Sequence, residues 1–226
     1  MIKNIAKNLF GQSISAFNYP LLVNSYGRSG STVLTNSIIS SAISIDNDDL
    51  KKIAHRSLSQ TAWDLENDDI KSGIVYKTHD YPPERKLPEN TRVLYTFADP
   101  IDVVLSLINR FDEKGESWMK EHYSHLKVEY SSFDLVNNDQ LRLKDHLNAW
   151  LNEKKYPIAF IKYEHMWGYQ KEISDFLGFN VKFPPFKNRA SKDLKDVKML
   201  KLLKKTYGSL IDEIMQLEEF QINNKN

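Results

Sequence analysis

Short apolar runs recur along the chain, each followed by a longer stretch with apolar residues three and four apart. The runs are Leu21–Val23, Gly73–Lys77, Arg92–Phe97 and Pro157–Lys162. They are too short for helices and suit buried parallel strands. The periodic stretches predict helices beginning near Ser31, over Leu50–Leu65 behind the acidic turn Asp46–Asp49, from Asp99-Pro100 through Phe111, over 113–130, and over Asp139–Lys155. Two more are predicted over Tyr163–Leu177, stopped by Gly178, and over Ser191–Leu217. At the start, Ile2, Ile5, Leu9 and Phe10 share a helical face opposite Lys3 and Lys7, which predicts a short amphipathic helix over 1–17. The tail, INNKN, is expected to fray. Strands alternating with helices predict an α/β protein, a three-layer α/β/α arrangement with a central parallel sheet, as a single domain over 1–226. Ligands bind such sheets at the carboxyl ends of the strands. The loops beginning near Ser25, Thr78, Ala98 and Tyr163 should therefore share a rim.

The first unit carries the most chemistry. Leu21–Val23 leads into Asn24-Ser25-Tyr26-Gly27-Arg28-Ser29-Gly30, rich in turn formers, and then into Ser31-Thr32 and the apolar positions Val33, Leu34, Ile38 and Ile39. This reads as strand, glycine-bearing loop and helix N-terminus, with Ser31 or Thr32 offering a capping hydroxyl. Free amides and the helix dipole at such a junction bind an anion, commonly phosphate. The loop is not a Walker A motif, because Gly30 is followed by Ser31 and not by lysine. Its cation, Arg28, precedes the glycine and can fork onto phosphate or sulfate oxygens.

Charge and composition narrow the classes. With 31 basic and 30 acidic residues in 226, the net charge is +1, which argues against a dedicated nucleic-acid partner and makes any anion site local. No cysteine is present, so disulfides, thiolate catalysis and cysteine-ligated zinc are excluded. No run approaches the about 18 apolar residues of a membrane span, and the first residues make a poor signal peptide, so a cytoplasmic location is expected.

Two further stretches bear on chemistry. In Tyr76–Pro82, Lys77 and His79 leave a strand two residues apart and can face one side. A histidine there can take a proton near neutral pH, and a lysine beside it can stabilise developing negative charge. In Phe97–Ser106, Asp99-Pro100 opens a helix whose N-terminus predicts a second anion site, with Ser106 and Arg110 neighbours at i and i+4. Tyr81, Trp118, Tyr123, Tyr130 and Phe133 could line an acceptor pocket or fill the core. His122 and His125 lie among charged residues, show no metal-ligand spacing, and are expected to be solvated.

These stretches, in this order, resemble the sulfotransferases that use 3′-phosphoadenosine 5′-phosphosulfate (PAPS). Tyr26–Thr32 resembles their 5′-phosphosulfate loop, written PKSGTTW or RSGST. Lys77-Thr78-His79 with Leu87-Pro88 resembles the KTH…LP segment, Asp99–Ser106 the 3′-phosphate signature, and Tyr163-Glu164 with Phe176-Leu177-Gly178 the later YED…FLG stretch. The resemblance spans about residues 21–180. It implies a P-loop-NTPase-like fold, PAPS as co-substrate without a metal, and a small-molecule or carbohydrate acceptor. Catalytic roles fall to His79 as general base with Lys77 and Arg28. Donor binding falls to Gly27, Arg28, Ser29, Gly30, Ser31 and Thr32, and 3′-phosphate binding to Ser106 with Lys187 and Arg189, while Arg110 or Arg92 is expected to supply the charge missing at Ala98. The chain departs from the pattern at Val33, where an adenine-stacking tryptophan is usual, and at Ala98, where an arginine for the 3′-phosphate is usual. A non-catalytic nucleotide-binding protein of the same fold, or a P-loop kinase using ATP, are the other classes open.

Overall fold

A computed structural model describes residues 16–45, 47–186 and 196–223. The predicted helix over 1–17 thus falls almost wholly outside the described residues, as do Lys187, Arg189 and 224–226. Six strands form one sheet: β1 (Leu21–Asn24), β2 (Ser59–Thr61), β3 (Val75–Thr78), β4 (Arg92–Phe97), β5 (Ile158–Lys162) and β6 (Phe220–Asn223). Their order is β2-β3-β1-β4-β5-β6. The first five are parallel and β6 runs antiparallel beside β5, so the sheet is mixed where a parallel one was predicted. The helices are α1 (Ser31–Ala42), α2 (Asp48–Leu58), α3 (Pro100–His125), α4 (Leu143–Leu151), α5 (Gln170–Leu177) and α6 (Val197–Gln216).

The chain steps from β1 toward β3 and β2 on one side, then crosses β1 to β4 and β5 on the other. Parallel crossovers are right-handed, so stepping in opposite directions puts the intervening helices on opposite faces. The α/β/α layering follows. The strand order reverses at β1, and the crevice at its carboxyl end is the place such folds use for ligands. Leu21, Leu22, Val23 and Val75 on the central strands are fully covered, as a sheet flanked on both faces requires.

Several boundaries differ from the pattern. The helix predicted over Leu50–Leu65 stops at Leu58, and Ser59–Thr61 becomes edge strand β2, paired with β3. Asn47 caps α2, its side chain accepting from the amides of Asp49 and Leu50. The predicted helices near 100 and 113–130 form one element, α3, broken at Gly115 (φ 77, ψ −173). A left-handed φ of this kind suits glycine. Trp118 and His122 lie in the half of α3 beyond the break.

Candidate active site

At the carboxyl end of β1, Gly30 (φ 86) starts α1 with no side-chain cap. The predicted Ser31 or Thr32 hydroxyl cap does not form. Thr32 Oγ1 instead accepts from Lys77 Nζ at 2.9 Å. The first-turn amides of α1 therefore carry no side-chain acceptor, and an anion there is favoured by both amides and dipole. Inside the loop, Ser29 Oγ donates to Gly27 O at 2.8 Å, and Gly27 N donates to Ser25 Oγ at 3.1 Å. Arg28 holds a left-handed φ of 54, rare for a side-chain-bearing residue and common where loops are shaped for ligands. Its Nε donates to Ser106 Oγ at 2.9 Å, tying the loop to α3.

His79 is buried at the end of β3. Its Nδ1 lies 2.6 Å from Ser25 O, and a carbonyl only accepts, so Nδ1 carries the proton. The Nε2 lone pair is left as the basic atom. Burial holds the imidazole well below the usual histidine range, with His122 and Lys77 adding to the effect and the Ser25 carbonyl opposing it. Lys77 is also pulled down, by burial first and by Arg28 second. The backbone behind His79 is fixed. The Asp80 carbonyl accepts from Asn24 Nδ2 at 3.0 Å, Trp150 Nε1 at 2.9 Å and His146 Nε2 at 3.1 Å. His146, whose Nδ1 meets the Tyr95 hydroxyl at 2.8 Å, is lowered to about 4 by burial.

Arg28, Lys77 and His79 open onto one cavity of about 460 Å³, with Gly30, Ser31, Thr32 and Ser106 also on its wall. The predicted rim is present: Tyr163 lines the same cavity, and the Ala98 backbone is bonded to the Tyr26 hydroxyl beside the loop.

Three expectations are corrected. The N-terminus of α3 is not an open anion site, because the Asp99 carboxylate accepts from Ile101 N at 2.7 Å and Asp102 adds a second acid in the first turn. Arg110 does not reach back to Ser106. Its guanidinium pairs with Glu113 at 2.8 Å on the surface, one turn along the same helix. His122 and His125 are not solvated. His122 is 6% exposed and lines the cavity, stacked on Trp118 with centroids 5.3 Å apart. His125 stacks on Trp63 at 3.9 Å, and burial lowers it. The signal for His122 was in the sequence: Met119, His122, Tyr123 and Leu126 fall on one face, and all four are buried. Among the predicted aromatics, Trp118 reaches the cavity, whereas Tyr123 is buried with its hydroxyl on Gln140 and Phe133 stacks on Phe111 at 4.1 Å. Asp102, Asn109 and Tyr163 line the cavity without having been singled out as site residues.

No family model matches the chain, and no curated protein matches it. Among solved structures, the chain is similar to mouse sulfotransferase SULT7A1 complexed with PAP. The two share 18% identity over 91% of this chain and 70% of that one, with a TM-score of 0.41. Among the described residues, no helix is long and apolar enough to cross a membrane.

Proposed function

We propose that the protein is a PAPS-dependent sulfotransferase acting on a hydroxyl or amine of a small-molecule or carbohydrate acceptor. The observation that carries this is the convergence of an uncapped helix N-terminus, two cations and a histidine with a vacant Nε2 on one cavity. In this reading the amides of Ser29–Thr32 with Arg28 hold the 5′-phosphate side of the donor. The acceptor oxygen attacks sulfur in line with the bridging oxygen, the S–O bond to phosphate breaks, and PAP leaves. The acceptor proton goes to His79 Nε2. Lys77 and Arg28 offset the charge that gathers on the leaving phosphate. By analogy with phosphoryl transfer, positioning and electrostatics supply most of the rate. Ser106, with Lys187 and Arg189 from outside the described residues, is assigned to the 3′-phosphate.

A second reading, donor binding without transfer, draws on Ala98. It is fully buried and both its backbone groups are tied to Tyr26, so it brings no charge to the 3′-phosphate. A lost charge-assisted contact weakens binding by about 1.5–3 kcal/mol. Two measurements test the proposal: calorimetry with PAP, with and without magnesium, and mass-spectrometric screening of an acceptor library with PAPS. Magnesium-independent PAP binding together with a sulfated product supports it. Binding without any product favours the second reading, and no PAP binding ends both.

A further inference from the structure

Two side chains on the cavity wall, Asn109 and Trp118, have no part in the donor chemistry, and both are partly exposed. The Asn109 carboxamide has no hydrogen-bond partner among the described residues. Asn109 stands at i+3 from Ser106, one turn further along the face of α3 that holds the bond to Arg28. Trp118 stacks on His122 with the rings 6° from parallel, and the His122 ring meets the His79 ring at 71°, with centroids 5.8 Å apart. Trp118 is thus one ring removed from the proposed base. One face of its indole is covered by His122, so the cavity meets the other face and the edge. The charged side chains on the same wall are Arg28, Lys77 and Asp102. Both cations are held at the anion end, Arg28 on Ser106 and Lys77 on Thr32. An anionic acceptor finds no further cation on this wall. An ammonium is repelled by the two cations that share the cavity with His79.

Resting on the sulfotransferase reading, we propose that Asn109 and Trp118 form the acceptor subsite and that the acceptor is a neutral pyranose, not an aryl alcohol or an amine. Any hydroxyl acceptor gives its reacting O–H to His79 Nε2. A phenol then has no polar group left, and it would cover the Asn109 carboxamide unpaired, at the cost of desolvating it. A sugar ring brings further hydroxyls. A carboxamide can donate to one of them and accept from its neighbour. The same ring has an apolar C–H face, whose slightly positive hydrogens suit the negative π-face of an indole. One aromatic platform with a carboxamide beside it matches a ring that is apolar on its face and polar around its rim.

The test uses the protein with PAP bound, so it needs no turnover. Saturation-transfer NMR is recorded with methyl glucopyranoside, methyl galactopyranoside, phenol and benzylamine as probes, on wild type, Asn109→Ala and Trp118→Leu. The pyranosides should receive saturation, most strongly on the protons of one ring face, and phenol and benzylamine should receive little. Asn109→Ala should weaken the pyranosides about three- to tenfold, the size of one neutral hydrogen bond. Trp118→Leu should weaken them and abolish the one-face pattern. Calorimetric affinity for PAP should be unchanged in both variants. Phenol bound in preference to the pyranosides, pyranosides bound equally by wild type and Asn109→Ala, or no pyranoside bound at all overturns the assignment and leaves the sulfotransferase reading in place. Failure of wild type to bind PAP overturns both. Alanine is a strong helix former and position 109 is partly exposed, so if Trp118→Leu does not fold, Asn109→Ala decides alone.

Discussion

Gly27→Ala is the substitution whose consequence the structure specifies most closely. Two costs arise from separate causes. Gly27 has φ 91, a left-handed conformation that disfavours a side chain by about 1–2 kcal/mol. The new methyl would also stand 2.5 Å from His122 Cε1, inside contact distance. The imidazole has little room to retreat, because Trp118 is stacked on it and the His79 ring stands nearly perpendicular to it, with centroids 5.8 Å apart. Overpacking of this kind costs about 1–3 kcal/mol. Together the two amount to about 2–5 kcal/mol, a large share of the 5–15 kcal/mol typical of a domain. Urea denaturation of wild type, Gly27→Ala, His122→Ala and the double variant forms a double-mutant cycle. The steric part should disappear in the absence of the imidazole and the backbone part should stay. The coupling should therefore be about 1–3 kcal/mol, with residual destabilisation by Gly27→Ala in the His122→Ala background. Additivity within about 0.5 kcal/mol would refute the packing of His122 over the loop.

Other expectations concern binding, turnover and pH. Arg28→Ala should weaken PAP at least about tenfold by calorimetry, with or without magnesium, as loss of a charge-assisted contact does; equal affinity removes the loop from the donor site. His79→Ala should leave PAP affinity nearly intact and lower turnover by about 10²–10⁴ once an acceptor is in hand, and near-normal turnover would point to another base. Arg110→Ala should not alter the preference for PAP over 5′-AMP, because its guanidinium is engaged by Glu113; loss of that preference would show that the ion pair opens on binding. His79, His122 and His146 are all held neutral in the fold, His122 down to about 3 and His146 to about 4. The unfolded chain takes up those protons near pH 6.5, so the stability they confer is complete above that value and declines as pH falls toward 4. The slope is up to about 1.4 kcal/mol per pH unit per histidine. Urea midpoints that stay flat from pH 7 to 5 would contradict this.

What the sequence disclosed and what it hid follow from where each residue's partners lie. The strand–loop–helix unit was legible because Leu21–Val23, the Gly/Ser loop and Val33–Ile39 are local signals. The start of α3 was legible because Asp99-Pro100 is its own cap and first position. Edge strand β2, Ser-Gln-Thr, carries no pattern of its own, and its conformation is imposed by β3. Strand β6 follows α6 and pairs antiparallel with β5, an arrangement its short run does not announce. Lys77 and His79 could be paired on a strand exit; the burial of His122 was legible from its apolar helical face, whereas its place on the cavity wall beyond the break at Gly115 was not. Arg110 looked like a ligand because Glu113, equally close along the helix, was as plausible a neighbour as Ser106.

The break at Gly115 divides the labour of α3. Its first half presents Asp102, Ser106 and Asn109 to the cavity, and its second half presents Trp118 and His122. Across a left-handed residue the ladder of backbone bonds is interrupted, so twist or slide in one half is not forced upon the other. The two walls can therefore be altered one at a time. Replacements at Trp118 can reshape what the second wall meets while the Ser106 tie stays in place, whereas His122 remains bound to the loop through its contact with Gly27. A change at Trp118 would therefore be felt by the cavity wall beyond that glycine and not by the residues that α3 presents ahead of it.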